Sequence, residues 1–110
     1  MAYIGNMLFV ETSIFTKEIE RLLPDEEYRM LQTALMLRPD AGQLIRSSGG
    51  LRKMRWNLPG KGKRGALRVI NFWDPPDKIF MLLPYKKNEQ EDLTPSQLKV
   101  LKSLMKEWPS

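Results

Sequence analysis

The segment Ala66 to Trp73 constrains the fold most, because it is apolar on both sides and interrupted only by Arg68 and Asn71. A half-buried strand alternates apolar and polar residues, so a strand of this kind belongs in the middle of a sheet. Leu51 to Leu58 reads as a neighbouring strand, broken by Pro59 and Gly60, and Ile79 to Leu83 as a short apolar strand ending before Pro84. Asp74-Pro75-Pro76-Asp77 is a turn, and three consecutive strands joined locally predict an antiparallel meander.

The remaining segments read as one more strand and three helices. Asn6 to Glu11 is a short strand, after which Thr12 or Ser13 caps a helix with Phe15, Ile19, Leu22 and Leu23 on one side. That pattern stops at Pro24, where a second helix starts with Asp25, Glu26 and Glu27 set against the positive end of its dipole. Its Tyr28, Leu31 and Leu35 follow helical spacing for core packing, and Pro39 and Gly42 place its end near Arg38. Thr94-Pro95-Ser96-Gln97 forms a capping box, followed by Leu98, Leu101, Met105 and Trp108 on one face of a last helix. This helix either docks on the sheet or is left exposed for a partner.

The order strand, helix, helix, three strands, helix predicts an α+β fold with helices packed on an antiparallel sheet. With 110 residues, 42% of them hydrophobic, the expectation is a single domain over residues 1–110. No run approaches the roughly 18 to 20 apolar residues of a membrane span, and the start lacks a secretory signal. The expected location is cytoplasmic.

Charge is unevenly distributed. Ala41 to Trp73 holds Arg46, Arg52, Lys53, Arg55, Lys61, Lys63, Arg64 and Arg68 and no acid, so it carries +8 while the rest of the chain carries −3. Such a stripe suits a polyanion, whose condensed counterions are released on binding, although a solvated basic face would look the same in sequence. Strand alternation places Lys53, Arg55 and Asn57 on one face and Arg52, Met54 and Trp56 on the other. Pro59 to Gly65 lacks the spacing of a phosphate-binding loop and reads as a basic hairpin arm. Arg68, set among apolar residues, needs either a carboxylate such as Glu89 or Asp92, or an anionic ligand held with Lys53 and Arg55.

The chain has no histidine and no cysteine, which excludes thiolate nucleophiles, disulfides, Cys or Cys/His zinc sites and histidine acid-base pairs. Lys, Arg, Tyr, Asp and Glu remain, and none of them titrates near about 7 when unperturbed.

Leu51-Arg52-Lys53-Met54-Arg55, Gly60-Lys61-Gly62-Lys63-Arg64-Gly65, Leu67-Arg68-Val69-Ile70 and Tyr85-Lys86-Lys87-Asn88-Glu89, in this order of elements, resemble toxins of the RelE superfamily, most closely its HigB-like branch. The resemblance runs over nearly the whole chain from about Met7. It implies a microbial ribonuclease-like fold and the toxin of a type II toxin-antitoxin pair, which cleaves mRNA on the ribosome and inhibits translation. It also implies a small cognate antitoxin, often with a helix-turn-helix domain, which could cover the cationic face or bind elsewhere. Matched residue by residue, the family's catalytic positions fall at Lys53, Arg55 and Arg68. Lys87 is nearest to a further arginine of RelE, and Tyr85 is the only phenol near the position of a late aromatic acid or base. Arg52, Lys61, Lys63, Arg64 and Lys86 are the expected RNA contacts.

The chemistry is coherent with this resemblance. Internal RNA cleavage can use the 2′-OH as nucleophile and needs neither a metal nor a cofactor. The protein must help remove the 2′ proton, stabilise charge on the phosphate and help the 5′ oxygen leave. Arg55 and Arg68 suit the phosphate, and crowding by cations makes Lys53 a candidate for proton transfer. The alternatives are an RNA- or ribosome-binding module of the same fold that does not cleave, and a basic structural protein that meets an acidic partner.

Overall fold

The computed structural model describes residues 1–57 and 66–107. In chain order its elements are β1 (Ala2–Ile4), β2 (Met7–Glu11), α1 (Ser13–Leu22), α2 (Asp25–Leu37), β3 (Gln43–Leu44), β4 (Arg52–Trp56), β5 (Leu67–Asp74), β6 (Lys78–Lys86) and α3 (Pro95–Glu107). The strands form one sheet in the order β1-β2-β6-β5-β4-β3. The α+β reading is borne out. The meander β4-β5-β6 is antiparallel, whereas β2 runs parallel to β6, so the sheet as a whole is mixed. The reason lies in connectivity. The α1-α2 pair carries the chain from β2 to the far edge of the sheet, and the meander then returns to β2 in the same direction.

Two short strands escape the periodicity. β1 forms a hairpin with β2 through a two-residue turn whose first residue, Gly5, has φ +59°. β3, two residues long, pairs with Lys53 and Arg52 at the other edge. β6 also runs on to Lys86, past the stop expected at Leu83. Beyond Met81 it has no strand on its β2 side, so Pro84 sits on a local edge, where proline is tolerated.

The helix boundaries follow from their caps. The Thr12 hydroxyl accepts the Phe15 N–H at 2.9 Å and donates to the Leu82 carbonyl at 2.9 Å, tying the start of α1 to β6. Pro24 is the N-cap of α2 rather than its first helical residue. At α3 the Thr94 hydroxyl accepts from the Gln97 N–H at 3.1 Å while the Gln97 amide oxygen accepts from the Thr94 N–H at 3.0 Å, the reciprocal box expected.

The sheet separates two cores. Phe15, Ile19 and Leu22 of α1 and Leu31 and Leu35 of α2 pack against Phe9, Met54, Val69, Ile79 and Met81. On the other face Leu101 of α3 meets Leu51, Ile70, Phe80 and Leu82, with Leu98, Leu104 and Met105 partly buried beside it. The last helix therefore docks. Trp108 of the expected apolar face lies outside the described residues, as do Leu58 and the arm from Pro59 to Gly65.

Candidate functional site

β4 and β5 are in register, so each residue of one lies opposite a known residue of the other. Arg55 pairs with Arg68, and Arg68 in turn pairs with Tyr85 of β6, which makes a row of three polar side chains across the sheet. One step along, Gln43 pairs with Lys53, and Lys53 with Ile70. Residues two apart on a strand share a face, so Lys53, Arg55, Arg68 and Tyr85 lie on the face that also carries α3. Lys53, Arg55 and Arg68, with Ala41, Gln43 and Met54, line a concavity of about 520 Å³.

A break in the ladder brings Tyr85 to this row. Ile70 pairs with Leu83 but Asn71 with Met81, so Leu82 is an extra residue on β6. Phe80 and Tyr85 differ in parity and would point to opposite faces on a regular strand, yet both belong to the core beneath α3.

Arg68 is 9% exposed, and its Nη1 is buried without a hydrogen-bond partner. Neither carboxylate offered by the sequence reaches it. Glu89 pairs with Arg21 at 3.4 Å, and Asp92 pairs with Lys53 at 3.3 Å. An uncompensated buried charge costs on the order of several kcal/mol, so this guanidinium is poised for an anion. The exposed Lys53–Asp92 pair contributes only about 0–1 kcal/mol and is readily displaced. It also gives Lys53 a counter-charge beside its cationic neighbours Arg55 and Arg68.

Tyr85 is buried, and its hydroxyl likewise lacks a partner at hydrogen-bonding geometry. Burial pushes this phenol up to about 12; the nearby Asp92 carboxylate adds to the rise and Arg68 opposes it. Asp92 is held below the ordinary carboxylate range, first by the Leu93 N–H, which it accepts at 2.8 Å; burial opposes this, and Lys53 and Tyr85 add to the fall. The loop that presents Asp92 is braced on α3: the Gln90 side chain donates to the Asp92 carbonyl at 2.8 Å and also bonds the Gln97 amide.

The other expected residues are placed differently. Arg52 points to the opposite face, where its guanidinium donates to the carbonyls of Asp40 at 3.2 Å and Gly42 at 2.7 Å, bracing the turn before β3. Lys86 lines a second depression with Arg21 and Glu89. Lys87 is exposed just beyond β6, where its N–H donates to the Ala66 carbonyl at 3.2 Å. Lys61, Lys63 and Arg64 lie outside the described residues. The sequence offered Asp92 as a partner for Arg68; the structure pairs it with Lys53 of the same face, 39 positions away. The one local signal for that pairing was its position just before the capping box.

Among the described residues no group of three or more His, Cys, Asp or Glu is arranged to hold a metal ion, and no helix is long and apolar enough to cross a membrane. Residues 13–110 match the family model described as the RelE toxin of the RelE/RelB toxin-antitoxin system. That match takes in every residue of the cationic face, α1, α2 and α3, and leaves out only residues 1–12, which hold β1, β2 and the cap of α1. The chain therefore belongs to the RelE toxin family, whose members act as the toxin of a toxin-antitoxin pair.

Proposed function

We propose that this toxin is a ribosome-dependent mRNA endoribonuclease of the HigB-like branch, acting in the cytoplasm to inhibit translation and held in check by an antitoxin with a helix-turn-helix domain. The observation that carries the reading is the unpartnered, buried guanidinium of Arg68, aligned with Arg55 on one side and Tyr85 on the other. Two guanidinium groups at this spacing suit the non-bridging oxygens of a phosphate, where charge grows as the 2′-OH attacks. Lys53, paired with Asp92 in the free protein, adds a third cation to the same face.

Tyr85, protonated throughout the neutral range, serves as a proton donor to the departing 5′ oxygen and not as a base. Lys87 and Lys86 at the end of β6, together with Lys61, Lys63 and Arg64, supply RNA or ribosome contacts by charge, while Arg52, on the opposite face, braces the turn before β3 instead. Without an acid-base group that titrates near neutrality, the site depends on the ribosome to orient its RNA.

The test adds purified protein to translating ribosomes with end-labelled mRNA and compares the wild type with Arg68→Ala and Arg55→Ala. Cleavage by the wild type, reduced by about 10²-fold or more in each variant, is the expected result. Salt-sensitive RNA binding with no new ends would instead establish a binding module of the same fold.

A further inference from the structure

Cleavage by the 2′-OH needs a proton acceptor, and the cationic face itself offers only donors. Among the described residues one carboxylate is ion-paired to that face: Asp92, 67% exposed, with Oδ1 3.3 Å from Lys53 Nζ. Its loop is not slack. The Leu93 N–H, the Gln90 side chain and the Thr94–Gln97 cap together hold the carboxylate where the β6–α3 connection meets β4.

We propose that Asp92 is a catalytic residue, the proton acceptor for the 2′-OH. This rests on the ribonuclease reading above. In the step, the 2′ oxygen forms a bond to phosphorus as its O–H bond breaks, and the proton goes to the Asp92 carboxylate. The bond from phosphorus to the 5′ oxygen breaks with its electron pair on that oxygen, which takes the proton of the Tyr85 hydroxyl. The products are a 2′,3′-cyclic phosphate and a 5′-hydroxyl end. Asp92 is then a neutral acid and Tyr85 a phenolate; exchange with water takes the proton from Asp92 and returns one to Tyr85, downhill because the phenol is by far the weaker acid. No proton is gained or lost over the cycle, so a site without a histidine returns to its starting state.

The experiment measures single-turnover cleavage on programmed ribosomes by the wild type, Asp92→Asn, Asp92→Glu, Lys53→Met and the Lys53→Met/Asp92→Asn double variant, with ribosome binding measured in parallel. Asp92→Asn is expected to cleave about 10²-fold or more slowly with binding changed less than about threefold, and Asp92→Glu to recover part of the rate. The loss on Asp92→Asn should persist in the Lys53→Met background, and the cut ends should be cyclic phosphate and 5′-hydroxyl. Cleavage by Asp92→Asn at the wild-type rate would overturn the proposal, as would a loss that vanishes once Lys53 is absent, since Asp92 would then only hold Lys53. Ends of 3′-hydroxyl and 5′-phosphate would overturn it too. A wild-type protein that does not cleave would remove the ribonuclease reading itself, and this proposal with it.

Discussion

Arg55 and Arg68 stand directly opposite one another on adjacent antiparallel strands, two like charges in a position where opposite charges would stabilise the sheet. Arg68 is buried on this face and has no carboxylate partner. The arrangement sacrifices stability in the free protein, and the phosphate proposed to lie between the two groups would relieve it.

Replacing Arg68 with methionine keeps most of the volume and removes the buried charge. The expected outcome is a protein as stable as the wild type or more so, by up to about 1–4 kcal/mol in urea denaturation, that cleaves about 10²-fold or more slowly. Arg68→Met with both lower stability and full activity would count against the reading of this site.

Tyr85→Phe separates packing from chemistry. The ring stays in the core beneath α3 and the hydroxyl that is lost had no hydrogen-bond partner, so thermal stability should change by less than about 1 kcal/mol. Cleavage should fall by about 10²-fold or more if the hydroxyl protonates the 5′ oxygen.

Alkaline stability follows from the same burial, with Tyr28 as a second contributor. The Tyr28 phenol is pushed well above its ordinary value by burial and by its 2.6 Å hydrogen bond to Glu11. Raised phenols in the folded state mean that the folded protein binds more protons than the unfolded chain once pH exceeds about 10. Stability contributed by these phenols is therefore complete below about pH 10 and declines as pH rises toward about 12, the value reached by Tyr85. Melting temperature followed over this range should fall less steeply in Tyr28→Phe and Tyr85→Phe.

The loop before β4 gives a stability prediction independent of function. Gly49 and Gly50 both have positive φ, +77° and +109°, but only at Gly50 would a Cβ meet an atom, the Phe72 ring at 2.9 Å. Gly49→Ala should cost about 1 kcal/mol from the backbone alone, and Gly50→Ala about 2–3 kcal/mol, because strain and the clash with the ring add. Denaturant midpoints for the two variants test the difference.

The basic arm should act through charge. Replacing Lys61, Lys63 and Arg64 together with Ala is expected to flatten the dependence of log affinity on log salt for single-stranded RNA by about two. An unchanged salt slope would show that the arm makes no phosphate contact.

Periodicity and caps sufficed for α1, α2, α3, β2 and the meander, since these depend on residues near in sequence. Thr12 and the Thr94–Gln97 box stand where their chemistry predicts, Pro24 lies one position earlier as the N-cap, and alternation along β4 correctly sorted Lys53 and Arg55 from Arg52. β1 and β3 are too short to show a period. The parallel pairing of β2 with β6 is a matter of path, which no local pattern records.

The sequence by itself determined an α+β chain with an unusually apolar central strand, a concentrated positive charge and no histidine or cysteine, because composition and alternation are local properties. Pairing across the sheet decided the rest. Register set Arg55 beside Arg68, an extra residue at Leu82 turned Tyr85 onto their face, and the β6–α3 loop brought Asp92 to Lys53 while leaving Arg68 unpaired. Each of these depends on contacts between residues distant in the chain, and a shift of one position on a strand exchanges its faces without altering its periodicity.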